Sequence, residues 1–252
     1  MSRRTQMCGI AAVAMLLVWV APAWLRAQST RSDDAARLQS AATVFQQVMA
    51  TPDHAIPNEI LEGAHCIAII PGMKKGAFVF GANYGKGVAS CRSGPSAAWG
   101  PPLFITIGGG SWGLQFGAQS SDIIMVFGSR TQLNSLLSSK FRVGAEAAAA
   151  AGPVGRHVAA GTDVKLNSEI LTYGRSKGAF AGISISGAVV QPDTTGNEAM
   201  YGKHSNVQDI LSGTGVTTPA PAAALLRELD AHPAKPQKPP SGGQKPLRQE
   251  RR

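Results

Sequence analysis

The segment Leu103-Phe104-Ile105-Thr106-Ile107-Gly108-Gly109-Gly110-Ser111-Trp112-Gly113-Leu114-Gln115-Phe116-Gly117 admits two architectures. As G-x-S-x-G it makes Ser111 a hydrolase nucleophile, with Asp122 and His157 or His204 following in chain order. As G-x-G-x-x-G it cradles a dinucleotide. Both patterns need a helix directly behind the glycines. Leu114 to Gln119 instead keeps a strand-like character, so the run reads as a glycine-rich bend between strands at 103–108 and 112–119.

Outward from this bend the texture stays the same. Strands are predicted at 66–71, 77–83, 86–92, 122–128, 169–173 and 178–190, with Pro71 to Gly76 and Gly174 to Lys177 as turns. Phe141 to Ala151 is ambiguous between helix and packed strand. Twenty-two of the 29 glycines lie between Gly63 and Gly187. In strands that density marks bulges, bends and close backbone approach. Helices flank this region. Leu38, Ala41, Ala42, Phe45, Val48 and Met49 recur at helical spacing over Asp33–Ala50, with Ser32 as N-cap and Pro52 as stop. Shorter helices are predicted at 58–64, 131–139 and 206–211. The fold class is therefore α+β: N-terminal helices packed on a curved, Gly-rich, mainly antiparallel sheet, sandwich-like or barrel-like.

The chain has 252 residues and a formal net charge of +9. Residues 1–27 carry +3 and 213–252 carry +4, leaving only +2 on 28–212. A folded part so close to neutral argues against a nucleic-acid groove. Arg3 and Arg4 precede an apolar run, Ile10 to Val20, and Ala23 or Ala27 offers a small-residue cleavage site. This is the layout of a signal peptide over 1–27, with an uncleaved anchor as the alternative. The mature protein is expected to be periplasmic or secreted, with peripheral membrane association. Residues 28–213 form the domain. Beyond Gly213 the composition turns to Pro, Lys, Ala and Gly, so 214–252 reads as a disordered tail with a helical turn or two at 222–231.

Export permits disulfides. A three-strand meander at 66–71, 77–83 and 86–92 would nevertheless put Cys66 and Cys91 at opposite ends of a strand, roughly 17 Å apart. That geometry argues against a bridge between them.

No metal-ligand spacing joins His54, His65, His157, His204 and His232, and no cofactor is expected. The weaker signal is cationic. Lys74, Lys75, Lys86, Arg92, Lys140 and Arg142 fall in or beside predicted turns, where they suit phosphate headgroups.

Taken together, Cys66-Ile67-Ala68-Ile69-Ile70-Pro71, Gly76 to Gly81, Tyr84-Gly85-Lys86-Gly87, Pro101 to Asp122, Lys140 to Arg156, Tyr173 to Gly178 and Gly187 to Asp193 resemble the SYLF-domain family. The resemblance spans 56–202. It implies a non-enzymatic domain that binds phospholipid membranes or single lipids. Eukaryotic members also bind actin, but in an exported protein actin is expected to be an unlikely partner. A serine hydrolase using Ser111, and a structural envelope protein tethered by its basic tail, are the alternatives.

Overall fold

A computed structural model describes residues 23–51, 55–77, 80–92, 98–112, 117–137, 149–151, 170–176, 179–182 and 188–234. Helix α1 spans Ala23–Met49 and α2 Asn58–Gly63. Four long strands follow: β1 (Cys66–Ala77), β2 (Phe80–Cys91), β3 (Leu103–Trp112) and β4 (Gly117–Phe127). Next come α3 (Arg130–Leu137), β5 (Ala149–Ala151), β6 (Ile170–Ser176), β7 (Ala179–Gly182) and β8 (Ala188–Pro192). The chain closes with α4 (Thr194–Tyr201), α5 (Val207–Ser212), a 3₁₀ turn (Ala220–Ala222) and α6 (Ala223–Asp230). None of the described helices is long and apolar enough to cross a membrane.

The strands form one sheet in the order β5-β6-β4-β1-β2-β3-β8, with β7 also pairing β6. Among the described strands only β5 and β6 pair in parallel. The architecture is α+β, and the sheet is open along this path.

Both faces of the sheet are covered. On one, Ile67, Ile69, Val88, Phe104, Ile124 and Val126 pack against Leu38, Phe45 and Val48 of α1, Ile60 of α2, and Leu225 and Leu229 of α6. On the other, Ala68, Ile70, Ile105, Ile107, Ile123, Met125 and Phe127 pack against Leu133 of α3 and Ile210 of α5. Strand side chains alternate between faces. A strand buried on both faces therefore reads as an unbroken apolar run, as at Cys66–Ile70 and Ile123–Phe127. Each large aliphatic side chain so buried contributes about 1.5–3 kcal/mol.

Helix α1 starts at Ala23, not after Ser32. Residues 23–32 contain no Pro or Gly and several good helix formers, so nothing stops the helix before Pro22. The apolar stripe itself lies where its spacing put it, with Leu38, Ala41, Phe45 and Val48 buried.

The expected turn at Pro71–Gly76 is a β-bulge instead. β1 runs through it to Ala77, and its register against β2 shifts between Ile69 and Lys74. Gly72 takes the left-handed conformation there, at φ 56°. The Gly72 N–H, turned out of the ladder, donates to Asp122 Oδ1 at 2.8 Å. Pro and Gly thus mark a bulge inside one strand rather than the end of two.

That correction reverses the cysteine expectation. With β1 and β2 as one hairpin, Cys66 pairs directly with Cys91, and the two are disulfide-bonded. The neighbouring pair, His65 and Arg92, carries the ladder hydrogen bond, Arg92 N–H to His65 O at 2.8 Å. Cys66 and Cys91 therefore occupy the non-hydrogen-bonded position, where opposed Cα atoms approach most closely. Their Cα atoms are 4.0 Å apart.

Two further readings change. Helix α4 occupies Thr194–Tyr201, where the residue pattern predicts no element. The proposed disordered tail does not begin at 214: residues 220–230 are helical, and Ala222, Leu225 and Leu229 are buried in the core. Three apolar residues at helical spacing, Ala222, Leu225 and Leu229, outweigh the Pro/Ala-rich composition around them. Residues 235–252 lie outside the described residues.

Candidate functional site

The α1 face of the sheet changes character along the strands. Beyond Val88 and Phe104, Lys86 faces Thr106, and Thr106 in turn faces Gln191. One row further out, Lys74 faces Tyr84, and Tyr84 faces Gly108. Directly opposed residues, and those two apart on one strand, share a face. Lys74, Tyr84 and Lys86 therefore lie on a single outer surface. Tyr84 is 54% exposed, the one exposed large hydrophobic side chain among the described residues. Lys74 is exposed beside it.

An ion cluster separates this surface from the core. Asp193 caps α4 by accepting the Gly196 N–H on Oδ1 at 3.2 Å. Its Oδ2 accepts from Arg37 Nη1 at 3.0 Å and from Lys86 Nζ at 3.1 Å. Arg37 also lies 2.7 Å from Asp34 Oδ1, and its guanidinium stands 5.3 Å from the Phe104 ring centroid. The cluster ties α1 to β2 and α4 and balances two acids with two bases. The Arg37–Asp34 approach lacks hydrogen-bond geometry, so neither Asp34 oxygen has a hydrogen bond although the residue is fully buried. Burial accordingly raises the Asp34 carboxyl above its ordinary range, with Arg37 opposing. For Asp193 burial acts the same way, but hydrogen bonds from Lys86, Gly196 and Arg37 outweigh it and hold the carboxyl below the ordinary range.

Of the six cations singled out by sequence, the four that are described do not form one patch. Lys74 and Lys86 share the outer surface, and the β1 position of Lys75 pairs with Asn83. Lys86, 45% exposed, is already paired with Asp193. Arg92 is a correction. It is 3% exposed, its guanidinium stacks 4.3 Å from the Trp99 ring centroid, and it donates to Ala64 O and His232 O. A cation so enclosed serves the fold and not a headgroup. Lys140 and Arg142 lie outside the described residues.

The hydrolase reading finds no elbow. Ser111 stands within β3, paired with Gly81 of β2, rather than at a strand-to-helix turn. Asp122 is occupied by Gly72 N–H and by Arg175, whose Nε and Nη2 donate to Oδ2 at 2.9 and 2.6 Å. His157 lies outside the described residues. His204 lines a shallow cavity of about 260 Å³ with Tyr201, Lys203, Asp209 and Thr214. Among the described residues no three His, Cys, Asp or Glu side chains are grouped as metal ligands would be.

Sequence reasoning missed Arg37, Asp34 and Asp193. The available signal was Asp193-Thr194-Thr195-Gly196 after Pro192, an N-cap followed by a helix start.

This arrangement of sheet, outer surface and flanking helices has relatives. The family described as "Ysc84: Las17-binding protein actin regulator" matches residues 108–232, from the glycine run to the end of the α6 segment. The chain is similar to the Ysc84 family over about half of its length. This is the SYLF-domain group that the sequence motifs resemble. Similar proteins include bovine "SH3 domain-containing YSC84-like protein 1", 29% identical over 71% of this chain and 52% of the relative. "Protein YSC84" of Saccharomyces cerevisiae is 31% identical over 71% of this chain and 38% of its own length. "LAS seventeen-binding protein 3" of the same yeast is 27% identical over 82% of this chain and 45% of its own length. The chain spans about half the length of the curated relatives it matches, or less.

These names overturn one expectation. The matched Ysc84 family is described as an actin regulator, and the similar yeast protein, from two strains, bears the name "LAS seventeen-binding protein 3". Actin-related partners thus belong to the Ysc84 family, and their dismissal on grounds of compartment does not stand. The family members are named as regulators and not as enzymes.

Proposed function

We propose that this domain is a non-enzymatic module that associates with phospholipid surfaces through the outer part of its sheet. The carrying observation is the directly opposed, exposed pair Lys74 and Tyr84. An ammonium beside an amphipathic aromatic ring suits the headgroup layer, where one end meets phosphate and the other meets acyl chains. Lys75, Lys140 and Arg142 join this reading on sequence position alone. Export of the mature protein to the periplasm or envelope is part of the proposal, supported by the leader-like sequence and by a disulfide, which persists in oxidising compartments.

Sedimentation with neutral and anionic liposomes at low salt tests the reading. Anionic binding that weakens in Lys74→Ala and Tyr84→Ala, with a flatter salt dependence in the lysine variant, supports it. Absence of binding to either liposome rejects it. A protein that keeps its leader and stays in the cytosol rejects the export part.

A second reading is favoured by the family description: association with actin-related partners. Co-sedimentation with actin filaments tests it, and a protein that stays in the supernatant removes it.

A further inference from the structure

The C-terminal helix is held to the fold by a small, identifiable set of contacts. Trp99 Nε1 donates to Leu229 O at 3.1 Å, and Trp99 N–H to Asp230 Oδ1 at 3.0 Å. Arg92 Nη2 donates to His232 O at 2.6 Å. Two of these bonds end on backbone carbonyls at or just past the end of α6 and one on the Asp230 carboxylate; Leu229 O also accepts from His232 N–H at 3.1 Å. The His232 ring packs edge-on against Phe45 of α1, at 5.8 Å between centroids and 79° between planes. Ala222, Leu225 and Leu229 fill the seat beneath. The segment is the last described element. It is joined to α5 through Gly213 and Gly215, both at positive φ, and a Cβ at Gly215 would meet no atom within 4 Å. Its departure would leave every ladder of the sheet and the Cys66–Cys91 bridge intact.

We propose that residues 220–232 are an acid-released strap: protonation of His232 detaches them while the sheet stays folded, uncovering the apolar seat around Phe45 and Trp99. The docked ring lies between an apolar neighbour and a cation. Phe45 of α1 packs against the ring, the Arg92 guanidinium just past β2 binds the His232 carbonyl and acts on the ring electrostatically, and Glu228 of α6 acts on it with opposite sign, as Asp230 does on Arg92. Burial holds the imidazole below its ordinary range; Glu228 opposes this and Arg92 adds to it. A histidine depressed in the docked state keeps that state favoured while neutral. As pH falls below about 6.5 the free strap takes up the proton first, and docking is lost toward the docked-state pKa. The change in strap equilibrium is roughly tenfold for each pH unit separating the two states.

Hydrogen exchange of the full chain at about pH 7.5 and about pH 5, corrected for intrinsic rates, reads this directly. Amides of 220–232 lose protection at the lower pH while those of 66–70 and 123–127 keep theirs. His232→Gln, which cannot titrate, abolishes the difference. Because that substitution also removes the ring that packs on Phe45, the wild-type imidazole titration followed by NMR supplies a second check, and its midpoint matches the loss of strap protection. Unchanged strap protection across this range overturns the proposal. So does its loss together with the sheet, a pH-dependent loss in His232→Gln equal to that of the wild type, or a midpoint unrelated to the imidazole.

Discussion

Cys66 and Cys91 oppose each other across β1 and β2 at a Cα separation of 4.0 Å, in the position of the hairpin where no ladder hydrogen bond intervenes. Both are fully buried, beside the residues that anchor the C-terminal helix. The bridge joins positions 25 apart in sequence. On the chain-entropy account, replacing both by Ala lowers stability by roughly 3–4 kcal/mol. Urea unfolding with and without reductant measures this, and the double variant should show no response to reductant.

Glycines in the sheet differ sharply in what they tolerate. A Cβ at Gly87 would stand 2.3 Å from Ile69 O and 2.9 Å from Ile70 Cα, both backbone atoms of the bulged strand. A Cβ at Gly108, in the conspicuous glycine run, would meet only Asn83 O at 3.7 Å. Gly87→Ala should cost about 3 kcal/mol or prevent folding, whereas Gly108→Ala should cost less than about 1 kcal/mol. Thermal melts of the pair decide between them.

The two acids of the ion cluster should respond oppositely to substitution and to pH. Asp193 is held below its ordinary range, so its contribution is present above pH 3.8 and is lost as pH falls through its folded value. Asp34 is raised, so the folded state favours its neutral form, and that preference is lost as pH rises from 3.8 through its folded value. At neutral pH, Asp193→Asn should destabilise by roughly 3 kcal/mol, since Arg37 and Lys86 lose a shared partner. Asp34→Asn, which mimics the neutral acid, should leave stability unchanged or raise it. Denaturation at pH 7 ranks the two variants.

Arg92→Met should lower stability by about 3 kcal/mol through the carbonyls of Ala64 and His232 left without a donor. It should leave the salt dependence of liposome binding unchanged at temperatures where the protein is folded. A change in that dependence would return Arg92 to the headgroup surface.

Much of the fold is readable from residue order because the relevant forces are local. The stripe from Leu38 to Val48, the runs at Cys66–Ile70 and Ile123–Phe127, and Asn206 capping α5 each declare their elements through period or capping chemistry. Of the candidate surface, Lys74 and Lys86 are visible as cations near glycines. Tyr84 gains meaning only from its exposure, and Arg92 loses its assigned role by burial.

Composition and residue pattern alone determine the α+β class, and the motifs carry the resemblance to the SYLF-domain family; that β3 runs straight through the glycines expected to form a bend is decided by the fold. Periodicity and glycine placement are properties of neighbouring residues, so they survive without coordinates. Only the folded molecule decides that Pro71 and Gly72 form a bulge, that two cysteines meet, that Arg37 joins Asp34 and Asp193, and that residues 220–232 return to the core. Each of these depends on which distant strands and helices share a surface, and that choice is made by packing across both faces of the sheet at once.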